Sequence, residues 1–255
     1  MKVSDRDYVN SLARGLEVIR VFTRHNPSMT LSDVARATGM NRATVRRFLL
    51  TLVQEGYAHT DGKQFALKPK VLELGYAALS SLSFLDVVRP VMKRLAEELE
   101  ESCFTAILDA EDVVYVACAT PSGRFVNIDL NVGSRAPAHC VSTGRILLAA
   151  LAERQRLAYL AKADLKKLTV NTVTSKVRLR ALLEDARVKG WCSVDQELEI
   201  GLRSISVPIR DRTGKVLAAL NVACPSSRIS PEDMHSRILL KLQSASQGIT
   251  DALQT

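Results

Sequence analysis

Three arginines, Arg42, Arg46 and Arg47, stand in the segment RATVRRFLLTLVQEG. Val45, Leu49 and Leu52 fall at i, i+4 and i+7, so they predict the inward face of a helix. Ala43, Thr44, Arg46, Arg47 and Thr51 then point away from the core, and Arg42 flanks both faces at the helix start. Guanidinium groups in the first turns of an exposed helix donate bidentate hydrogen bonds to guanine edges. Short hydroxyls reach phosphates or methyl groups, and a small residue such as Ala43 lets the helix approach the groove floor. The alternative is a solvated helix face. Lys63 at a hairpin tip is placed to reach a neighbouring phosphate, and Arg14 is either a further phosphate contact or a surface arginine. A second group, Ser142-Thr143-Gly144-Arg145, opens the apolar helix ILLAALA. The first backbone N–H groups of a helix have no internal partner, and with the helix dipole they attract an anion such as a carboxylate. The alternative there is an ordinary N-cap.

Other combinations carry less. Asn221 sits inside the apolar strand LAALNVAC, where an unpaired amide is costly, so it needs a protein partner or a ligand. Arg203 can meet a second carboxylate or pair with Glu197 or Glu199, and the structural pairing is favoured. His139 and Cys140 are adjacent; on a strand they face opposite ways, which removes them as a nucleophile–base pair and leaves Cys140 as a core or pocket residue. Five cysteines occur singly with no C-x-x-C pair, against a disulfide framework and a structural zinc site. They leave a redox sensor as a weaker alternative. Hydrolase, zinc-protease, P-loop and dinucleotide motifs are absent, so neither an enzyme nor any cofactor or metal is expected.

These residues need elements to position them. SLARGLEVIRVFTRH predicts a first helix capped by Asn10 or Ser11 and ended by Asn26-Pro27-Ser28. Thr30 and Asp33 form a capping box for a short helix closed by Gly39, and Asn41 caps the arginine-bearing helix. YAHT and QFAL flank Asp61-Gly62-Lys63 as a hairpin. Helix, helix, four-residue turn, helix and hairpin in that order give a winged helix-turn-helix over residues 1–68. A helical linker, 69–85, leads on from Pro69, with Pro90 marking a break or a first turn beyond it. Residues 86–255 alternate strands (FTAILDA, DVVYVACAT, FVNIDLNVG, WCSVDQEL, LRSISVPIRD, GKVLAALNVAC) with helices, an α+β domain with a mainly antiparallel sheet.

Charge follows this division. The 255 residues carry a net charge of +8, of which residues 1–82, with 12 basic and 7 acidic residues, hold +5 and the rest only +3. With 47% hydrophobic and 24% charged residues the composition is globular. No apolar run is long enough to span a membrane, and the first residues lack a signal-peptide core, so a cytoplasmic protein with no membrane partner is expected.

The segments SLARGLEVIRVF, TLSDVARATGM and NRATVRRFLLTLVQEGY, with APAHCVSTGRILLA and DQELEIGLRSISVPIRDRTGKVLAALNVA, resemble the IclR family of bacterial transcription regulators over nearly the whole chain. DYVNSLARGLEVIRVF and HCVSTGR look like the branch that governs aromatic-acid catabolism through the β-ketoadipate pathway. The resemblance implies a repressor or activator that binds promoter double-stranded DNA. It implies a GAF-like effector-binding domain, homodimers joined through the DNA-binding half, and dimers of dimers. The effector would be a small carboxylate, with protocatechuate, 4-hydroxybenzoate and β-ketoadipate as candidates. Its carboxylate would sit at Ser142, Thr143 and Gly144, with further contacts at the positions of Asp195, Ser204 and Asn221. This chain departs from the family pattern where Ser142-Thr143 replaces smaller residues and Asn221 replaces a hydroxyl. Regulation of another carboxylate pathway and an enzyme on this scaffold are the alternatives.

Overall fold

The computed structural model describes Ser4, residues 7–122 and residues 130–253. It divides into two units between Ser81 and Leu82, inside the stretch 69–85 that the sequence marks as a linker. No single helix among the described residues is long and apolar enough to cross a membrane.

The first unit contains α1 (Asn10–Arg20), β1 (Ser28–Thr30), α2 (Leu31–Thr38), α3 (Arg42–Gln54), β2 (Ala58–Thr60), β3 (Gln64–Leu67), a 3₁₀ turn (Pro69–Val71) and α4 (Leu72–Ser80). Local chemistry sets its boundaries. The Thr30 hydroxyl accepts from Asp33 N at 3.2 Å while the Asp33 carboxylate accepts from Thr30 N, closing the expected capping box. Gly39 ends α2 at φ 68°, and the Asn41 side chain caps α3 by accepting from Thr44 N at 2.8 Å. In the β2–β3 hairpin the Asp61 carboxylate accepts from Gln64 N and Lys63 N, which holds its pKa below the ordinary value. Val18, Val34, Val45, Leu49 and Phe65 form a small core.

Two local expectations fail. α1 starts on Val9 without a side-chain cap, so neither Asn10 nor Ser11 fills that role. The helix ends at Arg20, and Ser28–Thr30 forms a strand beside β3, with Ser28 opposite Ala66, where a simple break was expected. Along α1, Val18 is covered, whereas Leu12 and Leu16 are exposed.

The second unit contains α5 (Leu85–Leu99), β4 (Ser102–Asp109), β5 (Asp112–Ala119), β6 (Arg135–Pro137), a 3₁₀ turn (Ala138–Cys140), α6 (Ser142–Ala149), α7 (Glu153–Lys162), α8 (Lys176–Lys189), β7 (Cys192–Asp195), β8 (Leu202–Arg210), β9 (Val216–Pro225), α9 (Pro231–Asp233), a π turn (Met234–Ile238) and α10 (Leu239–Ala252). The six strands pair antiparallel in the order β6-β5-β4-β9-β8-β7. Helices cover both faces, which is why β4 and β9 read as nearly continuous apolar runs. Thr105 faces Met92 of α5, whereas Phe104 joins the core shared with α6 and α8. The helical segment breaks after Ser80, and Pro90 lies inside α5 instead of breaking it. Of the expected strand FVNIDLNVG, residues 125–129 lie outside the described residues and 130–133 form no strand. The edge beside β5 is β6, with Val113 opposite Ala136.

Candidate functional site

The first candidate surface is α3. Val45 and Leu49 are fully buried and Leu52 is half-buried, which anchors the helix on its unit. Arg42, Ala43, Arg46 and Arg47 are exposed, and Thr44 is half-buried. No carboxylate pairs with these three arginines among the described residues. The Thr51 hydroxyl turns back onto its own helix and donates to the Arg47 carbonyl at 2.9 Å. Lys63 projects from the hairpin tip and Arg14 from α1, both exposed. The helix end itself is closed by Asn41, so what α3 presents is side chains.

The second candidate is the start of α6. Its N-cap position is Val141, and no side chain caps the helix. The ordinary N-cap alternative is therefore not what the hydroxyls do. The Ser142 hydroxyl turns to the sheet, donating to Ser204 Oγ at 2.8 Å and lying 2.7 Å from Ser206 Oγ. The Thr143 hydroxyl is buried with no hydrogen-bond partner, as is Asn221 Oδ1. Leaving such atoms unpaired costs about 1–3 kcal/mol each, so each marks a place for a further polar group. Register brings them together. Asn221 lies opposite Ser206 on β8 and opposite Phe104 on β4, on the sheet face beneath α6. Tyr115 stacks edge-on against Phe104 at 5.7 Å. Burial raises the Tyr115 phenol pKa, against a smaller opposing pull from the Thr143 hydroxyl, which lies nearby outside hydrogen-bond geometry.

Two features fix this end of α6. A Cβ on Gly144 would lie 2.2 Å from the Ala138 carbonyl oxygen, so only glycine lets α6 pack on the preceding turn. Arg145 points inward, donating to the His139 carbonyl at 2.9 Å and to Glu197 Oε2 at 2.6 Å. Glu197 also accepts from Val173 N at 2.9 Å, so this buried pair ties α6 to the loop after β7 and to the segment before α8. His139 contacts the Lys166 carbonyl through Nε2 at 3.2 Å, and burial lowers its pKa.

Asp195 is not brought to this site. Val194 faces the α6 side of the sheet, so the next residue faces away. There its carboxylate forms a forked ion pair with Arg203 at 2.9 and 3.1 Å. Arg203 is thus paired structurally, with Asp195 and not with Glu197 or Glu199, and it also donates to the Ile229 carbonyl. His139 and Cys140 lie on a 3₁₀ turn and not a strand, and the thiol points to the Pro137 carbonyl instead of the imidazole. Burial pushes the Cys140 thiol up to about 12. Among the described residues no cluster of His, Cys, Asp or Glu is arranged to hold a metal. Ser206, Tyr115 and the Arg145–Glu197 pair escaped the sequence reading. Only Ser206 had a visible signal, two residues after Ser204 on the same strand face.

Both units match a known family. The IclR helix-turn-helix domain matches residues 11–62 and the bacterial transcriptional regulator IclR C-terminal domain matches residues 76–251. The chain is 43% identical to the Pca regulon regulatory protein of Pseudomonas putida, over 98% of this chain and 86% of that protein. It is 30% identical to the p-hydroxybenzoate hydroxylase transcriptional activator of Acinetobacter baylyi, over 97% and 93%. A transcriptional regulator from a Rhodococcus species superposes with a TM-score of 0.84 at 47% identity, covering 96% of this chain and 98% of that one. An IclR homologue of Microbacterium hydrocarbonoxydans, solved in complex with 4-hydroxybenzoate, superposes with a TM-score of 0.81 at 27% identity, covering 96% and 99%. These relatives are regulators of transcription, not enzymes. A winged helix bearing unpaired arginines, joined in one chain to an α+β unit that matches the family over its length, has one consistent reading: this chain belongs to the IclR family of bacterial transcriptional regulators.

Proposed function

We propose that the chain regulates genes of aromatic-acid catabolism by binding promoter DNA through α3 and a small carboxylate through α6. The observation that carries the effector half is the uncapped, buried start of α6, with Thr143 and Asn221 left unpaired beside it. A carboxylate there accepts from the first backbone N–H groups of α6 and from the Thr143 hydroxyl, and the helix dipole stabilises its charge. Arg145 is already engaged by Glu197, so the helix end supplies the positive potential. Asn221 meets the ligand's other polar group, and Phe104 and Tyr115 supply apolar wall. Protocatechuate, 4-hydroxybenzoate and β-ketoadipate fit this class, and the named relatives support it. Ser142, Gly144 and Ser204 act as the frame of the pocket.

On the DNA side Arg42, Arg46 and Arg47 read base edges, with Ala43 and Thr44 at the groove and Arg14 and Lys63 on phosphates. The working species is a homodimer. Leu12 and Leu16 lie one turn apart on α1 and are exposed, as is Tyr8 just before it, and on α4 Leu72 and Tyr76 are 76% and 71% exposed with no α4 residue buried. A second copy covering these apolar faces places two winged helices on a pseudo-palindromic operator. Dimers of dimers extend the same logic. Effector binding shifts the population of effector-unit conformations, and the segment 69–85 carries that shift to the winged helices.

The test is binding of the full chain to its own upstream DNA across a salt series, with and without each of the three acids, beside a thermal-shift screen of mono- and dicarboxylates. Salt-dependent DNA binding altered by at least one acid is expected. Salt-insensitive DNA binding, or no thermal shift from any acid, overturns the proposal.

A further inference from the structure

The effector unit carries a net charge of only +3, but that figure hides a local excess. Residues 151–190, from the α6–α7 turn to the end of α8, hold ten basic and four acidic residues. Part of this charge lines a half-open cleft of 1250 Å³ at the far end of α6 from the proposed effector site. Ile107, Leu108, Leu147 and Leu217 form an apolar floor, and Arg156, Arg180, Arg187, Arg210 and Lys215 stand around it.

Some of these cations have internal duties. Arg156 donates to the carbonyls of Ala149 and Leu151 and so closes the end of α6, and Arg187 pairs with Glu184 at 2.6 Å. Three others lack a carboxylate partner. Arg180 and Lys215 have none within ion-pair distance among the described residues, and Arg210 donates to the Gly214 carbonyl at 2.9 Å. All three are exposed. Of the two lining carboxylates, Glu184 is already shared by Arg187 and Arg156.

We propose that this cleft docks an acidic, apolar-containing peptide segment of a partner protein. Its volume exceeds the range of about 300–1,000 Å³ usual for small-molecule pockets and suits a stretch of chain. The exposed cations without a carboxylate partner favour an anionic occupant, and carboxylates held by an arginine cluster supply one. The apolar floor requires side chains between those carboxylates. A duplex offers phosphate charge but nothing to bury on such a floor, and it is a convex rod facing a concave site. A self-complementary contact with a second copy brings two basic rims together, which is repulsive.

The test titrates the full-length chain into a fluorescein-labelled short peptide of alternating Asp and Leu, read by anisotropy at low and moderate salt. Binding that weakens with salt is expected, with about tenfold loss in the double variant Arg180→Glu/Lys215→Glu and a comparable loss when Ser replaces every Leu in the peptide. The thermal midpoint and operator binding of the variant report that both units remain intact; Arg180→Gln/Lys215→Gln is read in the same way if the reversal unfolds the effector unit. Absence of peptide binding at low salt overturns the proposal, as does equal binding of the Ser peptide. Loss of affinity for a random-sequence duplex in the variant that matches the loss for the peptide overturns it in favour of DNA.

Discussion

Two helix starts in this molecule receive opposite treatment. At α3 the end is closed: Asn41 caps it, and the arginines of its first two turns stand in solvent without carboxylate partners. At α6 the end is open and buried: Val141 offers no cap, Ser142 is spent on β8, and Thr143 has nothing to bond. Arginine is also used in reverse. Arg46 and Arg47 point outward from α3, while Arg145 in the first turn of α6 is locked inside against Glu197. A closed end that displays side chains suits a large polyanion read from outside. An open end in a dry interior suits one small anion, because backbone dipoles act most strongly where water is excluded. The two helix ends thus offer different chemistry, and burial sets the difference.

The harshest way to break this contrast is to remove the clamp. Glu197→Ala leaves the Arg145 guanidinium buried and uncompensated, with an expected destabilisation of about 3–5 kcal/mol. The midpoint of the effector unit's urea transition reads it, and α3 binding to a half-operator should survive. The next pair separates the two ends directly. Arg47→Ala should lower specific operator affinity by about 1–3 kcal/mol and leave effector-induced thermal stabilisation unchanged. Thr143→Val should do the reverse, weakening the effector by about 1–3 kcal/mol in calorimetry. It should also leave the unliganded protein as stable or slightly more so, since it removes an unpaired buried hydroxyl; a stability loss instead would assign Thr143 a purely structural role. Two-way loss in both variants would dissolve the comparison.

A smaller effect tests the cap. Asn41→Ala should cost the winged helix about 1 kcal/mol in thermal unfolding, whereas α6 has no cap to lose. The smallest is a pH effect on the buried turn below α6. Burial lowers the His139 pKa from 6.5, so the folded state disfavours the proton that the unfolded chain accepts. The contribution is complete above about pH 6.5 and is lost as pH falls from there through the lower folded pKa. Stability of the effector unit should decline across that window, and His139→Gln should flatten the decline while keeping a donor for the Lys166 carbonyl.

Much of the first unit could be read directly because its determinants are close together in the chain. The Thr30–Asp33 box, the Gly39 stop, the Asn41 cap and the Asp61 turn each involve residues within three or four positions. β1 carries no local signal, because three residues make a strand only when β3 lies beside them. Leu12 and Leu16 fall one turn apart on α1, but period alone does not say whether the chain's own core covers them. In the second unit Ser142, Ser204 and Asn221 do gather under α6, while Asp195 leaves the group because it is one residue out of phase with Val194.

By itself, then, the sequence determined the helix periods, the caps, the hairpin and the arginines that stand on the outer face of α3. These follow from interactions a few residues long. Tertiary structure alone decided that the Ser142 hydroxyl would dock on β8 instead of capping α6, that Arg145 would meet Glu197 across 52 positions, and that Thr143 and Asn221 would be left wanting partners. Those outcomes depend on strand register, where a shift of one residue sends a side chain to the other face, and nothing local fixes that choice.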